Sequence, residues 1–344
     1  MAWIARWAGA SQGRNRGRRR GAAVLGAAAA AVAAAAVVTA AAAVAAPPAL
    51  PATTRAEAPA VFAPGVISGP QNDTDAAFTP DGNSLVFARA NTILVSHRSG
   101  GTWSKPEIAP FSGQWPDLQP TMAPDGSYLV FVSGRPIAPG DAKRPAGNLW
   151  RVDRRGDGWG EPVHLPANVN RDSSIWAPSV AGDGSLYFIQ KENPKAPMRI
   201  WRSQAKNGTY EPAVPVSFGD PTTQDVDPAV APDESFIVFG SMHPDAPDAH
   251  ERLFISFREG AGWGKPIDLG GAVNGPDDTN EARLGPDGRT LYFSSDRTLP
   301  PRFPRTPAQA AADQARIDAW DNGNLNIWTI SLAPWLDAHA HARH

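Results

Sequence analysis

Carboxylates occur in the sequence at spacings that could support acid–base chemistry. Asp225 and Asp227 are two residues apart, and residues i and i+2 of a β-strand point to the same face. Asp117 and Glu281, from two different segments, form a second candidate pair. Two carboxyl groups that flank one bond could serve a hydrolase or lyase acting on a polysaccharide. Acids recur at the same place in several segments, however, and such repetition also indicates a structural role.

The segment "HPDAPDAH" is a second place where the residue types suit chemistry. His243, Asp245, Asp248 and His250 carry the nitrogen and oxygen ligands that Zn²⁺ or a similar ion accepts. Two prolines impose no ligand geometry and no third histidine lies nearby, so an ordinary surface loop is the competing interpretation. The chain has no cysteine, which excludes disulfides and thiolate sites, and no cofactor is predicted.

The first 45 residues have the composition of an export signal. Six arginines and no acid precede an alanine-rich stretch, and the small residues at 43–45 favour cleavage after Ala45. The weakly hydrophobic stretch resembles a twin-arginine signal, and an uncleaved membrane anchor is the alternative. Residues 46–61 are predicted to be a Pro/Ala linker. Cleavage would leave 26 basic and 34 acidic residues, a net charge of −8, so nucleic-acid binding is not expected.

One plan is repeated five times after the linker. Each copy has a Pro-Asp-Gly or related turn between two apolar runs, and the second run holds an anchor phenylalanine. The anchors, 44 to 57 residues apart, are Phe87, Phe131, Phe188, Phe239 and Phe293. Turn residues between short apolar runs predict a β-hairpin. Later apolar runs predict a third strand and, in four copies, a fourth strand with an aromatic residue and proline, which favour a sheet edge.

The fifth copy lacks a fourth strand of its own. The segment "FAPGVIS" (62–68) resembles "YEPAVPV" (210–216) of the third copy and could supply it. A chain that begins with the last strand of its last sheet must bring its ends together, which radial closure achieves. The sequence therefore predicts an all-β fold, a five-bladed β-propeller with four-stranded antiparallel blades, over residues 62–335. Residues 336–344 are expected to form a C-terminal tail.

The repeat is similar to that of the WD-repeat-like propellers of the TolB type. The best matches are "PTMAPDGSYLVFVSGR" (120–135) and "ARLGPDGRTLYFSSDR" (282–297), and the resemblance covers nearly the whole mature chain. It implies the propeller fold, which exported partner-binding proteins and peptidase propellers share. No Gly-x-Ser-x-Gly elbow occurs within the repeats, which argues against a peptidase.

A meander places the loops that enter the first strand and those that leave the second strand on one face of the propeller. We expect ligand-binding residues there, namely Asp75, Asp117, Gln119, Trp176, Asp225, Asp227, Glu281, Arg135 and Arg297. The competing interpretation is that these acids and bases pair between neighbouring blades, at about 0 to 1 kcal/mol per exposed pair. Insertions at 136–147, 242–251 and 298–323 distinguish the blades on this face, and the last could place a short helix over the channel mouth.

The predicted function is therefore non-catalytic binding of an envelope protein or a cell-wall glycan. The predicted protein is a monomer, exported to the periplasm or the outside, with no membrane contact once the leader is cleaved. A carboxylate-dependent hydrolase or lyase acting on an extracellular polysaccharide is the alternative.

Overall fold

The computed structural model of the protein describes residues 58–138, 140, 147–171, 174–242 and 250–342. The predicted leader (1–45) and all but the last four residues of the predicted linker (46–61) lie outside this part of the chain. The described residues form 25 β-strands and two α-helices. Neither helix is long and apolar enough to cross a lipid bilayer.

The first three blades follow one another along the chain after a short first strand, β1 (Ala60–Val61). Blade 1 contains β2 (Asp73–Phe78), β3 (Ser84–Arg89), β4 (Thr92–Ser99), β5 (Thr102–Trp103) and β6 (Glu107–Ile108). Blade 2 contains β7 (Asp117–Met122), β8 (Tyr128–Ser133), β9 (Asn148–Arg155), β10 (Gly158–Trp159) and β11 (Val163–His164). Blade 3 contains β12 (Trp176–Val180), β13 (Leu186–Lys191), β14 (Met198–Ser203) and β17 (Val214–Pro215), with a separate hairpin of β15 (Ala205–Lys206) and β16 (Thr209–Tyr210).

The last two blades complete the ring. Blade 4 contains β18 (Gln224–Val230), β19 (Phe236–Met242), β20 (Arg252–Glu259), β21 (Gly262–Trp263) and β22 (Ile267–Asp268). Blade 5 contains β23 (Thr279–Leu284), β24 (Thr290–Ser295) and β25 (Asn326–Ser331), with helix α1 (Pro307–Ala319) between its last two strands. Helix α2 (Ala333–Ala342) follows β25. The sheets are antiparallel, which confirms the predicted five-bladed propeller with four-stranded blades.

Strand β1 closes blade 5 from the other end of the chain. Val61 lies opposite Trp328, and the N–H of Phe62 donates to the carbonyl of Ile327 at 2.8 Å. The predicted closure is therefore present, but the predicted register is wrong. In blade 3, the outer-strand residue Pro215 lies opposite Trp201, the counterpart of Trp328 in blade 5. Val61, and not a residue of 62–68, therefore occupies the outer-strand position of blade 5. Phe62 instead packs edge-on against aromatic rings of blades 1 and 5, including Phe78, Trp103 and Tyr292.

Each innermost strand carries one β-bulge, where the pairing with the second strand shifts. One residue in each bulge has a positive φ of 48° to 62°, namely Asp75, Gln119, Ala177, Asp227 and Glu281. A bulge interrupts the two-residue alternation of a strand. Asp225 and Asp227 consequently have different surroundings, although their spacing predicted a shared face.

The apolar core lies between adjacent blades. The five anchor phenylalanines are at most 1% exposed, and full burial of each contributes about 1.5–3 kcal/mol. Phe188, for example, packs with Leu149 of blade 2, and Phe293 packs with Leu253 of blade 4. The anchors of blades 3 and 5 therefore lie in apolar clusters that include residues of the preceding blade.

The two helices lie outside the blades. Helix α1 begins with a capping box of Thr306 and Gln309. The insertion that contains this helix packs Trp320 against Trp328. Its Asn322 and Asn324 side chains donate hydrogen bonds to the carbonyl of Pro70. These contacts are with blade 5 and with the segment that leads into blade 1.

Helix α2 occupies most of the range predicted as a tail. Its Trp335 and Leu336 pack against the core between blades 4 and 5. His339 stacks on Phe257 at 3.7 Å between ring centroids.

Candidate functional site

One set of acids at the start of the innermost strands binds hydroxyl and guanidinium groups within its own blade. We call Asp73, Asp117 and Asp225, with these partners, the clamp ring. Asp117 accepts hydrogen bonds from Ser133 Oγ at 2.6 Å, Ser112 Oγ at 2.8 Å and Arg135 Nη2 at 2.9 Å. In the other two blades, the partners of the acid are Arg89 for Asp73 and Ser241 and Thr223 for Asp225.

The arginines of this face also bind the chain segments that connect the blades. Arg89 Nη2 donates to the carbonyl of Ile67 at 2.8 Å, and Arg135 Nη2 donates to that of Phe111 at 2.9 Å. Arg297 Nη1 donates in the same way to Ala272 at 3.1 Å. The contacts of these arginines thus join a blade to the segment that enters it, rather than to the acids of a neighbouring blade.

Burial opposes the ionisation of Asp73 and Asp225 despite these partners. It raises the pKa of Asp73 to about 6, although Arg89 acts in the opposite direction. Burial also raises the pKa of Asp225, against the hydrogen bond from Ser241. Asp117 and Asp73 have fully buried side chains, whereas those of Arg135 and Arg89 are 11% and 20% exposed.

A second set of charged groups surrounds the propeller axis. We call it the channel cluster: Asp75, Asp227, Glu251, Glu281 and Arg283. Arg283 Nη2 donates to Asp75 Oδ1 at 2.7 Å, and its Nε donates to the carbonyl of Pro120 at 3.3 Å. All four carboxyl groups are buried, and Arg283 is the cation within this cluster.

Residues at the bulge positions are linked from blade to blade. Gln119 Oε1 accepts from the N–H of Ala177 at 2.8 Å, and Asp227 Oδ2 accepts from the N–H of Glu281 at 3.3 Å. The N–H of Gln119 donates to Asp75. Each of these acceptors belongs to one blade and its donor to the next, so the left-handed backbone at the bulge directs polar side chains around the axis.

The acids of the channel cluster have few hydrogen-bond donors among the described residues. The carboxyl groups of Asp227 and Glu251 hydrogen-bond each other, and the side-chain donor to Glu281 is the hydroxyl of Ser294. Burial raises the pKa of Asp227 to about 6, with Asp75 adding to the rise and Arg283 opposing it. Burial and neighbouring acids raise the pKa values of Glu251 and Glu281 well above the ordinary range. The cluster therefore retains protons under conditions in which exposed acids are ionised.

Glu251 was not predicted, and a glycine makes room for it. A Cβ atom added to Gly240 would lie 1.8 Å from Glu251 Oε1, so the carboxyl group occupies the space next to this glycine. Arg283 was also missed, although the repeats carry a signal for it. The pairing registers place Ala77, Thr121, Ser179 and Ala229 at the positions equivalent to Arg283. A lone arginine in a column of small residues marks a difference between blades.

The remaining predicted site residues lie apart from the channel cluster. Trp176 is half-buried and packs against the core between blades 2 and 3, with its Nε1 3.2 Å from Ser174 Oγ. His243, Asp245 and Asp248 of the candidate metal site lie outside the described residues. His250 is described, with its Nδ1 3.1 Å from Asp278 Oδ1. In the described ranges, no group of three or more acids or histidines has a geometry that could hold a metal ion.

Comparison with solved structures relates the chain to other propellers. A protein assigned as TolB from Agrobacterium tumefaciens matches 66% of this chain over 70% of its own length, with 15% identity and a TM-score of 0.45. TolB from Acinetobacter baumannii matches 76% of this chain over 54% of its own length, with 12% identity and a TM-score of 0.43. An alpha-L-arabinofuranosidase from Lactobacillus brevis matches 79% of this chain over 92% of its own length, with 12% identity and a TM-score of 0.49.

These similarities concern the fold and not the chemistry, because the identities are low. No protein-family model matches the sequence, and no curated protein matches it. The class of the protein is thus a five-bladed β-propeller whose structural neighbours include TolB proteins.

Proposed function

We propose that the chain is an exported, non-catalytic propeller that binds an envelope protein through its loop-bearing face, the face of the clamp ring and the insertions. In this proposal the leader (1–45) is cleaved and the mature chain is released, as a monomer, into the periplasm or the outside. The repeat is of the WD-repeat-like, TolB-like type. The observation that carries it is the position of exposed apolar side chains on this face.

Six large apolar side chains are exposed among the described residues. Three belong to insertions on the loop-bearing face: Ile137 is 41%, Leu299 46% and Phe303 73% exposed. The others, Ile108, Val163 and Val214, lie on the outermost strands of three blades. Exposed apolar groups rimmed by polar residues are typical of protein-binding surfaces.

The insertion that carries Leu299 and Phe303 is held in place. Leu299 donates its N–H to Asp321 at 2.9 Å, and its carbonyl accepts from Arg316 Nη2 at 2.9 Å. Arg305 Nη1 and Asp313 Oδ2 form an ion pair at 2.6 Å. A pre-ordered loop loses less conformational entropy on binding, which favours its use as a binding surface.

The test is crosslinking and capture from the envelope fraction with the full chain. We expect the double variant Leu299→Ser/Phe303→Ser to lose a partner that the wild-type chain captures. Val163→Ser removes an equally exposed apolar group, 62% exposed, from a blade edge and should retain that partner. Equal capture by all three proteins would contradict the proposal. If the chain binds purified cell-wall glycan and captures no protein partner, the ligand of this face is a glycan and not an envelope protein.

A carboxylate-dependent hydrolase or lyase acting on a polysaccharide is the second candidate. It is favoured by the raised pKa of Asp227, about 6, beside Glu281 and Arg283, because a carboxyl group that stays protonated in mildly acidic solution can act as a general acid. The carboxyl groups are at most 1% exposed at these two positions, so substrate would require an opening. Hydrolysis on a glycan panel that disappears in Asp227→Asn and Glu281→Gln would support this candidate, and activity that survives both changes would exclude it.

A further inference from the structure

A cleft lies between blades 2 and 3 on the face formed by the Pro-Asp-Gly turns, opposite to the loop-bearing face. We call it the blade 2–3 cleft. Its volume is about 470 Å³, within the range typical of small-molecule sites, roughly 300–1,000 Å³. Its walls are the turn at 123–128, the turn at 181–184 and the β15–β16 hairpin, and Arg151 lines it from β9.

The next boundary, between blades 3 and 4, shows how a carboxylate can fill this space: blade 4 has Glu234 at the turn position where the other four blades have glycine. Glu234, from the turn of blade 4, accepts hydrogen bonds from Tyr187 Oη at 2.6 Å and from Arg202 Nε at 2.7 Å. Arg258 Nη2 lies 3.2 Å from the other carboxylate oxygen. The carboxylate of one blade therefore occupies a basic and phenolic site at the edge of its neighbour.

The repeat makes Arg151 the equivalent of Arg202. Each follows a tryptophan that pairs with an anchor phenylalanine, Trp150 with Phe131 and Trp201 with Phe188. The turn residue that faces Arg202 is Glu234, whereas the equivalent residue facing the blade 2–3 cleft is Gly184. Both have a positive φ, 55° for Glu234 and 84° for Gly184. The blade 2–3 cleft thus has the arginine but lacks the carboxylate.

The Arg151 side chain packs against an aromatic ring on one side and faces the blade 2–3 cleft on the other. Its Cζ lies 3.7 Å from the ring centroid of Tyr128. In the described part of the chain its one ion pair is with Asp153 on the same strand, through Nε at 2.6 Å, and both side chains are partly exposed. The Arg151 side chain also hydrogen-bonds Tyr210 and so counteracts the rise that burial produces in the pKa of that phenol.

The other charged groups of the cleft have their own partners. Asp125 Oδ1 accepts from Ser127 Oγ at 2.7 Å, and Asp183 Oδ2 accepts from Ser185 Oγ at 2.9 Å, each within its own turn. Lys206 lies 3.3 Å from Glu211. Asp125 also feels the charge of Arg151, but in the described part of the chain neither aspartate forms an ion pair with Arg151 as Glu234 does with Arg202.

We propose that the blade 2–3 cleft binds a small hydroxylated carboxylate of about the size of a uronic acid. Its carboxylate takes the place that Glu234 has at the next boundary and binds the terminal nitrogens of Arg151, which form charge-assisted hydrogen bonds to carboxylates. The hydroxyl groups of Ser127, Thr209 and Tyr210 line the same cleft and suit a hydroxylated ligand. This site is independent of the function proposed for the opposite face.

The test is calorimetric titration of the folded chain with glucuronate, with glucose and inorganic phosphate as comparison probes. We expect saturable binding of glucuronate and none of glucose. Arg151→Met should weaken binding at least about 10-fold, as loss of a hydrogen-bonded charged partner predicts. Gly184→Glu should weaken it as strongly, because the new carboxylate would occupy the cleft as Glu234 occupies the next boundary.

A matched control separates occupation of the cleft from backbone strain. Gly288 holds the same turn position in blade 5, also with positive φ, and a Cβ there meets nothing within 4 Å. The residue equivalent to Arg151 in the preceding blade is Ile255, so Gly288→Glu should bind glucuronate like the wild type. Any one of three results would overturn the proposal: an absence of glucuronate binding, phosphate binding as tight as that of glucuronate, or equal binding of glucuronate by Gly184→Glu and wild type. Melting temperatures measured alongside identify any variant that is unfolded, and Arg151→Lys then replaces Arg151→Met.

Discussion

The clamp ring and the channel cluster both contain buried carboxyl groups, which in two blades lie only two positions apart (Asp73 and Asp75, Asp225 and Asp227), and their surroundings differ. Asp117 of the clamp ring accepts three hydrogen bonds from two serines and an arginine. Glu281 of the channel cluster has the Ser294 hydroxyl as its side-chain donor among the described residues, and the neighbouring acids Asp75 and Asp227 raise its pKa further. Buried carboxylates with several donors hold the structure together, whereas those with few donors and acidic neighbours destabilise the ionised protein.

The difference comes from backbone geometry. The clamp-ring acids pair opposite the end of the second strand, as Asp117 does with Ser133. The bulge that follows turns the next acid toward the axis, where the neighbours are other acids and one arginine. A change of two residues along the chain thus separates an acid with several donors from one among other acids, and three comparisons of variants can test this distinction.

The largest effect is expected when the clamp ring is broken. Asp117→Ala leaves Arg135 largely buried without its carboxylate, and loss of one partner of a buried pair costs about 3–5 kcal/mol. Urea unfolding at pH 7 measures the change in the free energy of unfolding. The double variant Asp117→Ala/Arg135→Ala removes the orphaned charge and should recover part of this loss. A loss below about 1 kcal/mol for the single variant, the range of exposed pairs, would show that the clamp ring is not structural.

The opposite effect to that of Asp117→Ala is expected at Asp227 of the channel cluster. The pKa of Asp227 is raised from 3.8 to about 6 in the folded protein, so the folded state binds more protons than the unfolded state between these values. Its contribution to stability is complete below about pH 4 and is lost as the pH rises through 6. Asp227→Asn should therefore stabilise the protein at pH 8, by up to about 3 kcal/mol at 1.36 kcal/mol per pKa unit, and change little at pH 3.

The matched control for this prediction is an acid whose pKa is shifted the other way. Thr79 and Asn83 hold the pKa of the exposed Asp81 below its ordinary value, so Asp81→Asn should give no stabilisation at pH 8. Unfolding curves of both variants at pH 3 and pH 8 make the comparison. A destabilised Asp227→Asn at pH 8 would mean that the channel cluster, like the clamp ring, depends on its carboxylates for stability.

Much of the fold could be predicted because its signals are local. Turn residues between apolar runs recur five times, and the missing strand of blade 5 indicated closure by the N-terminus. The register of that closure could not be read from "FAPGVIS", because Phe62 has the aromatic character of an outer strand but uses it to pack against Phe78 and Tyr292. The sequence pattern identified blade 5 as the blade that the N-terminal strand completes, but not which residues of the two strands lie opposite each other.

The candidate site could be predicted only in part. The pattern identified Asp75, Gln119, Asp227 and Glu281, but not that they share a left-handed bulge, because acidic and amide side chains give weaker signals for positive φ than glycine does. Glu251 reaches the cluster from the residue just before the third strand of its blade, through space left by Gly240. That contact depends on tertiary packing and has no local signature in the sequence.

The smallest effect is expected from a comparison of two equivalent serine hydroxyl groups, one in blade 2 and one in blade 5. Ser133 and Ser295 hold the same position and both accept from an arginine, but Ser133 Oγ donates to the carboxylate of Asp117 and Ser295 Oγ to the carbonyl of Asp278, at 2.6 and 2.7 Å. Hydrogen bonds to charged groups contribute about 1.5–3 kcal/mol and neutral ones about 0.5–1.5 kcal/mol. Ser133→Ala should therefore destabilise the protein more than Ser295→Ala in urea unfolding at pH 7. Equal losses would mean that the charge of Asp117 adds nothing to its hydroxyl contacts, and that Arg135 alone accounts for the strength of the clamp in blade 2.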